Sequence, residues 1–502
     1  MRLANNLLAG LANSVVSALV GLAVVPLYLK YLGIEAYGLI GFFATTQAML
    51  QILDMGLAPT MNREVARHSA SGDLREAGRL LHTLAIVYWI MSGIIALFIV
   101  ALAPLIAGHW LQSKQLSPQT ISHAVMLMGL VVACRWPIGL YQGALMGAQR
   151  LTVASGVSIT MVTLGSLGAV AVLAFLSPTI EAFFIWQAGV GLVYAATMRW
   201  AAWRVIGRLK VIRFDVDALK SIWRFSAGMS GISLSGLVFT QLDKVILSKM
   251  LELEEFGHYM LATLIVSGLY VLITPMFNVV YPRFSALVVA DDTEKLIELY
   301  RLGTRMLATV LFPIAMFLVV FAEDFVLIWT GNQSIASSIA LVISILTIGS
   351  ALNGVMYFPY ALQLAYGMTW IPITINIVLM CFIVPLIIFL AQTYGAVGGA
   401  MAWLISEIVY VILGPWLTHR YLLKGLASKW VFQDIGIPLA VSIFVGLFGR
   451  YTIYESEYPA YFKLFFGGGL AIFTSALLLL ISRQLRIVIW DYVRWKKYVV
   501  RI

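Results

Sequence analysis

The sequence predicts an all-α polytopic membrane protein. Three features indicate it: an apolar composition, a series of apolar stretches long enough to cross a bilayer, and an internal repeat. Hydrophobic residues are 61% of the 502 residues and charged residues are 11%, whereas soluble domains carry about 25% charged residues. A soluble fold cannot bury this much apolar surface. The net charge of +10 is spread between apolar stretches, which excludes a nucleic-acid-binding patch.

A membrane-spanning helix needs about 20 consecutive apolar residues. Fourteen stretches are predicted to span, at roughly 7–29, 38–61, 81–108, 121–147, 153–176, 181–203, 225–248, 258–281, 303–328, 336–365, 370–391, 397–417, 435–450 and 462–482. The thirteenth is short and ends at Arg450. Without the last pair the prediction is 12 helices, which also leaves the two termini on one side.

Lysine and arginine residues predict the orientation, because they are retained on the cytoplasmic side of a membrane. They accumulate in alternate connections, most of all in 204–224, and in the tail 483–502. The opposite connections hold five: Lys30, Lys114, Lys249, Arg450 and Lys463. Both termini are therefore expected in the cytoplasm.

An internal repeat divides the chain. Residues 30–38 align with 249–257 at an offset of 219, and 144–150 align with 361–367 at an offset of 217. Two six-helix lobes related by a parallel repeat follow, with a site expected between them. The predicted parts are an N-lobe at 1–203, a linker at 204–224, a C-lobe at 225–417, an extra helix pair at 435–482 and a basic cytoplasmic tail at 483–502.

Polar side chains recur on single faces of the apolar helices, where they are costly unless they face a cavity or a partner. One such stripe includes Ser226, Ser230 and Ser233. Close helix packing is an equal alternative for the small residues Gly10, Ser17, Ser230 and Ser233. Arg135 lies midway along helix 4, where Pro137 is an expected kink. A charge there costs at least ~2.5 kcal/mol, and a water-filled cavity is the favoured interpretation. The candidate cavity residues are Arg135, Lys244, Gln142, Gln47, Gln51, Asn6 and Asn13.

The candidate acidic residues within the predicted helices are Asp54, Asp243 and Glu407. For Asp243 and Glu407, pairing with a neighbouring helix is the alternative to ion coupling, whereas close helix packing fits Asp54 poorly. Lys244 is near a helix end, so a side chain extended to the interface is an equal alternative. The sequence has no nucleotide-binding loop, no zinc-protease motif and no His/Cys cluster, and its two cysteines lie in apolar segments. Neither an enzyme nor a bound cofactor or metal is expected.

Five segments of the sequence carry a family resemblance. They are YLGIEAYGLIGFF, LDMGLAPTMNREVAR and YQGALMGAQR in the first half, and QLDKVILSKMLELEEFGHYMLAT and YPRFSAL in the second half. These segments resemble the polysaccharide transporters, the Wzx-type O-antigen flippases. That family belongs to the superfamily that also holds the lipid II flippases and the MATE exporters. The resemblance implies 12 to 14 helices in two lobes that form a V around a central cavity.

The resemblance also implies a function: export of undecaprenyl-pyrophosphate-linked oligosaccharide repeat units across the bacterial inner membrane. The chemistry of the candidate residues is compatible, because pyrophosphate binds Arg or Lys and glycan hydroxyls bind amides. A lipid II flippase and a MATE-type drug or cation antiporter are the alternatives, and buried Arg135 argues against the antiporter. The expected partners are the lipid-linked glycan, membrane lipid and polysaccharide polymerase machinery; coupling to H⁺ or Na⁺ is not required.

Overall fold

The computed structural model describes residues 2–71, 75–207, 214–453, 458–482 and 484–486, without the side chains of 2–5, 7, 70, 71, 216–218 and 220–233. The described part is helical. Its helices are α1 (Arg2–Leu50), α2 (Leu57–Ser71), α3 (Arg75–Leu105), α4 (Pro118–Arg135), α5 (Ile138–Gly147), α6 (Leu151–Phe175), α7 (Ile180–Ile206), α8 (Val216–Met250), α9 (Leu253–Ser267), α10 (Tyr270–Val289), α11 (Thr293–Val320), α12 (Ala322–Thr330), α13 (Gln333–Ala365), α14 (Trp370–Tyr421), α15 (Ala427–Lys429), α16 (Ile437–Ile453) and α17 (Ala460–Ile481). The stripe residues Ser226, Ser230 and Ser233 fall among the side chains outside the description.

Eleven segments of the described chain are long and apolar enough to cross a membrane, so the protein is a multi-pass membrane protein. Two of these segments are broken by a glycine. An unbroken helix of 49 residues would be about 73 Å long, more than twice the hydrocarbon thickness. In α1 the break is at Gly33 (φ 80°), and in α14 it is at Gly395 (φ 56°). Both backbones are left-handed there, a conformation that glycine adopts without a steric penalty.

The structure also breaks three stretches that the sequence predicts as continuous, and one of them, 303–328, is divided at Phe321 between α11 and α12. The stretch 38–61 is interrupted by a 3-10 turn at Gln51–Asp54, followed by positive φ angles at Met55 and Gly56. The stretch 258–281 is interrupted between α9 and α10. The kink predicted at Pro137 is present, since α4 ends at Arg135 and α5 begins at Ile138.

The repeat is visible in the positions of these breaks. The break at Gly33 corresponds, 219 residues later, to Glu252 in the connection between α8 and α9. The ends of α5 at Gly147 and α13 at Ala365 differ by 218 residues. Gln149 (φ 57°) and Gly367 (φ 68°), also 218 apart, both take the left-handed conformation just beyond those ends. The similarity in sequence is therefore accompanied by a similarity in backbone conformation.

The chain forms two compact units, Met1–Met260 and Leu261–Ile502. In the first, a buried apolar cluster joins α2, α3, α5, α6 and α7. Helix α5 lies close to α2 because Gly143 and Gly147 leave room for backbone: a Cβ at Gly143 would lie 2.6 Å from the Ala58 carbonyl oxygen. Glycines four residues apart are typical of closely packed membrane helices.

In the second unit, α16 and α17 pack against α11. Buried Asp434, just before α16, binds two arginines of α11: Arg301 Nε donates to its Oδ2 at 2.8 Å, and Arg305 Nε donates to its Oδ1. The nearby Trp430 indole donates to Thr304 at 3.0 Å. A carboxylate without solvent exposure is stable only with such partners, so this cluster fixes the C-terminal helix pair to α11.

The aligned segments 30–38 and 249–257 touch each other within the first unit. A Cβ at Gly257 would lie 2.5 Å from the Ile34 carbonyl oxygen, and a Cβ at Gly38 would overlap the Leu253 carbonyl oxygen. Gly38 and Gly257 are repeat equivalents, as are Ile34 and Leu253. The same close approach of backbones is thus made twice, once by each copy.

A buried carboxylate supports this contact. Glu35, 3% exposed, accepts from the Ser113 hydroxyl and from the backbone N–H groups of Lys114, Gln115 and Leu116. The Lys114 ammonium lies 2.6 Å from a Glu252 carboxylate oxygen, which raises the pKa of Lys114. The connection between α3 and α4 is therefore held against both copies of the repeated segment.

We expect Gly257→Ala to lower the temperature of unfolding, because the new methyl group meets backbone that cannot rotate away. Overpacking of this kind costs about 1–3 kcal/mol. The measurement is thermal unfolding of the purified protein, followed by circular dichroism. Gly93→Ala is the matched control, since a Cβ there meets nothing within 4 Å. Equal unfolding temperatures for Gly257→Ala and the unmodified protein would contradict the contact.

Candidate functional site

Arg135, the last residue of α4, is the central polar side chain of the first unit. Its Nη2 donates to the Gln187 Oε1 of α7, and its guanidinium carbon lies 5.9 Å from the ring centroid of Phe43 in α1. Gln187 is 7% exposed, and its Nε2 donates to the Gly165 carbonyl of α6 at 3.3 Å. Four helices therefore contribute to the position of this one cation.

The charge of Arg135 is not balanced by an anion nearby. Within the described part of the chain no carboxylate lies within 4 Å of its guanidinium, and its buried Nε has no hydrogen-bond partner. A buried cation normally pairs with a carboxylate, because burial without compensation is costly. The neutral amide of Gln187 fixes the direction of the guanidinium while leaving its charge and one donor free for an anion.

Lys244, the second cation among the candidate cavity residues, differs from Arg135 because a carboxylate lies beside it. Its Nζ lies 3.0 Å from Asp243 Oδ1, and it also donates to the Thr240 carbonyl at 2.8 Å. Asp243 is 2% exposed and accepts from the Tyr259 hydroxyl at 2.6 Å. Asp243 is therefore bound by Tyr259 of α9, and Lys244 has an ion-pair partner on its own helix.

The predicted amide residues divide into two groups. Asn6 connects α1 to the turn before α6: its Nδ2 donates to the Gln149 carbonyl at 3.1 Å, and its Oδ1 accepts from the Thr152 N–H at 3.4 Å. The buried Asn13 Oδ1 has no hydrogen-bond partner among the described residues. Gln47, Gln51 and Gln142 make no side-chain hydrogen bond in the same ranges and are partly or fully exposed, so their amides are available to a ligand.

The two remaining acidic candidates have neutral partners. Asp54 accepts from the Tyr88 hydroxyl and from the Ala58 N–H. Glu407 has no solvent exposure, and both its oxygens accept from Asn353 Nδ2 at 3.1 Å. The Tyr270 hydroxyl in turn donates to Asn353 Oδ1 at 3.1 Å. Glu407 is isolated among the apolar residues of its stretch in the sequence. In the structure it ends a chain of three hydrogen-bonded polar side chains.

The pairs Arg135–Gln187 and Asn353–Glu407 occupy equivalent positions of the repeat. Arg135 and Asn353 are 218 residues apart, and Gln187 and Glu407 are 220 apart. Each pair joins the fourth and sixth spans that the sequence predicts in its half. One copy combines a cation with an amide, and the other combines an amide with a carboxylate. Gln187 and Asn353 were not predicted from the sequence, although applying the repeat offset to Glu407 and Arg135 leads to them.

Comparison with solved structures identifies the class of fold. The lipid II flippase MurJ in its inward closed conformation has a TM-score of 0.72 at 13% identity, with 95% of this chain and 100% of that one covered. An inward-facing multidrug resistance MATE family transporter of the MOP superfamily has a TM-score of 0.66 at 15% identity, with 83% and 96% covered. The fold is that of these polytopic membrane proteins.

The sequence identifies the family within that class. The profile of the family described as "Polysaccharide biosynthesis protein" matches residues 29–340, which is more than half of the chain. The protein belongs to this family, which confirms the resemblance read from the sequence.

Curated relatives carry related names. A putative O-antigen transporter of Shigella flexneri is 20% identical over 396 residues, 78% of this chain and 91% of that protein. The teichuronic acid biosynthesis protein TuaB of Bacillus subtilis is 25% identical over 405 residues, 79% and 77%. The lipopolysaccharide biosynthesis protein WzxC of Escherichia coli is 25% identical over 300 residues, 57% and 60%.

The hydrogen bond between Arg135 and Gln187 is expected to stabilise the fold by about 1.5–3 kcal/mol, the range for bonds to a charged group. A double-mutant cycle with Arg135→Met and Gln187→Met, measured by thermal unfolding, isolates this coupling. Arg135→Met combined with Gln51→Met is the control, and those two effects should add within about 0.5 kcal/mol. Additive effects of the first pair would show that the bond contributes nothing.

Proposed function

We propose that the protein is a flippase that moves undecaprenyl-pyrophosphate-linked oligosaccharide repeat units, for O-antigen, capsule or exopolysaccharide, from the cytoplasmic to the periplasmic leaflet of the bacterial inner membrane. The observation that carries the proposal is the buried charge of Arg135, which a neutral amide orients and which no carboxylate of the described residues neutralises within 4 Å. A site of this kind favours an anionic head group. The names of the relatives support the same cargo class.

The polar surroundings suit the rest of the head group. Gln47 is one helical turn from Phe43, which contacts the Arg135 guanidinium, and side chains four residues apart share a helix face. Its unbonded amide, with those of Gln51 and Gln142, supplies donors and acceptors for glycan hydroxyls. The polyprenyl tail needs no polar path, because it remains in the hydrocarbon of the bilayer.

The proposed architecture has 14 spans with both termini in the cytoplasm. The described ranges contain eleven apolar segments long enough to span, and the breaks at Gly33 and Gly395 make two of them into pairs. Helix α8, with 35 residues, is the fourteenth. The spans form two six-helix lobes and a C-terminal pair, and transport occurs by alternating access to a cavity between the lobes.

Energy for transport is available from the membrane potential. Moving about two negative charges outward, from a negative interior, releases roughly 2.3 kcal/mol per charge per 100 mV. If an ion is coupled, Glu407 is the proposed residue, because Asn353 and Tyr270 hold it without a cationic partner in the described chain. Asp54 and Asp243 are the other two candidates. No catalytic step is part of this function.

Two other cargoes remain as alternatives. Lipid II shares the polyprenyl pyrophosphate, and the similarity in fold to MurJ favours it as the second candidate. A cationic drug is the cargo of the MATE alternative, and a free buried arginine is unfavourable for it. The polysaccharide polymerase machinery is the proposed recipient of the exported repeat unit.

Deletion of the gene in the source bacterium tests the proposal. We expect undecaprenyl-pyrophosphate-linked repeat units to accumulate and surface polysaccharide to be lost, and a plasmid copy should reverse both. Mass spectrometry of the lipid-linked glycans and a surface glycan stain are the measurements. Accumulated lipid II would assign the second candidate, whereas unchanged glycans with altered drug sensitivity would overturn the flippase assignment.

Replacing Arg135 with Ala should abolish surface glycan, because it removes the charge that compensates pyrophosphate, while the protein remains in the membrane. Arg135→Lys should restore part of the transport, since a point charge replaces the bidentate guanidinium. Arg79→Ala is the control: Arg79 is exposed and pairs with Glu76 at 2.9 Å. Immunoblots of membranes check the amount of protein. Normal glycan in Arg135→Ala would remove Arg135 from the mechanism.

A further inference from the structure

A second polar site lies in the first unit, at a groove between α3, α5 and α7. The groove has a volume of about 390 Å³, within the range of ligand-binding sites, and its lining includes His82, Ile86, Trp89, Tyr141, Arg199 and Trp203. None of these residues is among those predicted to contact the exported cargo. We propose that the groove binds the phosphate head group of an anionic phospholipid of the surrounding leaflet.

The depth of the polar residues fits a head group. His82 is seven residues after the beginning of α3, and Arg199 is seven residues before the end of α7. Seven residues correspond to about 10 Å of helix, so both side chains lie about equally far from their helix ends. Polar head groups occupy the outer several ångströms on each side of a bilayer whose hydrocarbon core is ≈ 30 Å thick. The end of the bundle that carries Arg75, Arg79 and Arg204 is the predicted cytoplasmic end.

The charge of Arg199 is available to such a ligand. Its side chain is exposed, and no carboxylate lies within 4 Å of it among the described residues. Arginine binds phosphate oxygens through two parallel N–H donors. The cytoplasmic leaflet is rich in anionic lipid, and basic residues near its surface are attracted to it.

The apolar part of the groove continues toward the interior of the membrane. Ile86 and Trp89 follow His82 along α3, and Ile90 beside them is 57% exposed. The Trp89 indole donates to the hydroxyl of fully buried Tyr141 at 3.3 Å, which fixes its orientation in the groove. A phospholipid has the same order of groups, a phosphate followed by acyl chains.

Ordinary interfacial anchoring is the simpler interpretation, because Trp and Arg are common near helix ends. Trp200 and Arg204, on the same helix as Arg199, are an example of such anchoring. The Arg204 guanidinium lies 5.1 Å from the ring centroid of Trp200, which is 55% exposed, and neither residue lines the groove. Arg199 differs because it lies at a concave site beside a histidine and two indoles.

The test uses the purified full-length protein in neutral detergent and phosphatidylglycerol with brominated acyl chains, which quench nearby indoles. We expect tighter binding than for brominated phosphatidylcholine. Arg199→Gln should weaken phosphatidylglycerol binding about tenfold, as loss of a charge-assisted hydrogen bond predicts. Arg204→Gln, the matched control with the same change of charge on the same helix, should change it less than about twofold, since Arg204 does not line the groove.

Two further measurements identify the site and the ligand. Trp203→Phe should reduce the quenching by phosphatidylglycerol, and Arg199→Lys should keep the preference for it if Arg199→Gln fails to fold. Equal losses in Arg199→Gln and Arg204→Gln, equal binding of the two lipids, or unchanged quenching in Trp203→Phe would each overturn the proposal. Displacement by millimolar inorganic phosphate would assign the groove to a free anion instead. The outcome is independent of glycan export.

Discussion

A polar side chain within an apolar helix needs a partner, because hydrocarbon offers it none, and this constraint explains how the helices of each unit are joined. Arg135 with Gln187, Asp54 with Tyr88, Asp243 with Tyr259 and Glu407 with Asn353 each form such a pair. Three of the four pairs connect residues of different helices more than 30 positions apart in the chain. Apolar contacts alone would leave the rotation of these helices poorly defined.

The partners differ in what they leave available. Asp243 accepts a hydrogen bond from the Tyr259 hydroxyl, and the Lys244 ammonium group balances its charge. Arg135 is bound by an amide that directs it without neutralising it. A bound amide fixes position, whereas a bound carboxylate fixes position and also cancels charge. Gln187 therefore fixes the position of Arg135 without cancelling its charge. This arrangement is expected where a ligand supplies the opposite charge.

Much of the fold could be predicted from the sequence. Apolar length predicts the spans and Pro137 predicts a break, while the alignment of 30–38 with 249–257 locates a contact that the structure makes in duplicate. The break at Gln51–Asp54 was missed because apolar residues flank it and extend the apolar stretch across the turn. The contact of buried Asp434 with Arg301 and Arg305 was also missed, since an aspartate before a helix is typical of an exposed cap.

The candidate site was predicted less completely than the fold. Arg135 was identified because a charge in mid-helix is conspicuous in a sequence. Its partner was not identified, since a single glutamine carries no periodic signal, and the pairing of α4 with α7 is a tertiary contact. For Asn6, helical spacing groups it with the cavity candidates but does not reveal that both ends of its amide bind the turn before α6.

The duplicated contact at Gly38 and Gly257 has a consequence for how the two halves of the gene can diverge. Each glycine leaves space for a carbonyl that belongs to the other copy of the repeat. A side chain gained in one half is therefore opposed by backbone encoded in the other half. Most positions of a duplicated sequence are free to change separately after the duplication. At this contact the two copies constrain each other, because replacing either glycine would displace backbone of the other copy.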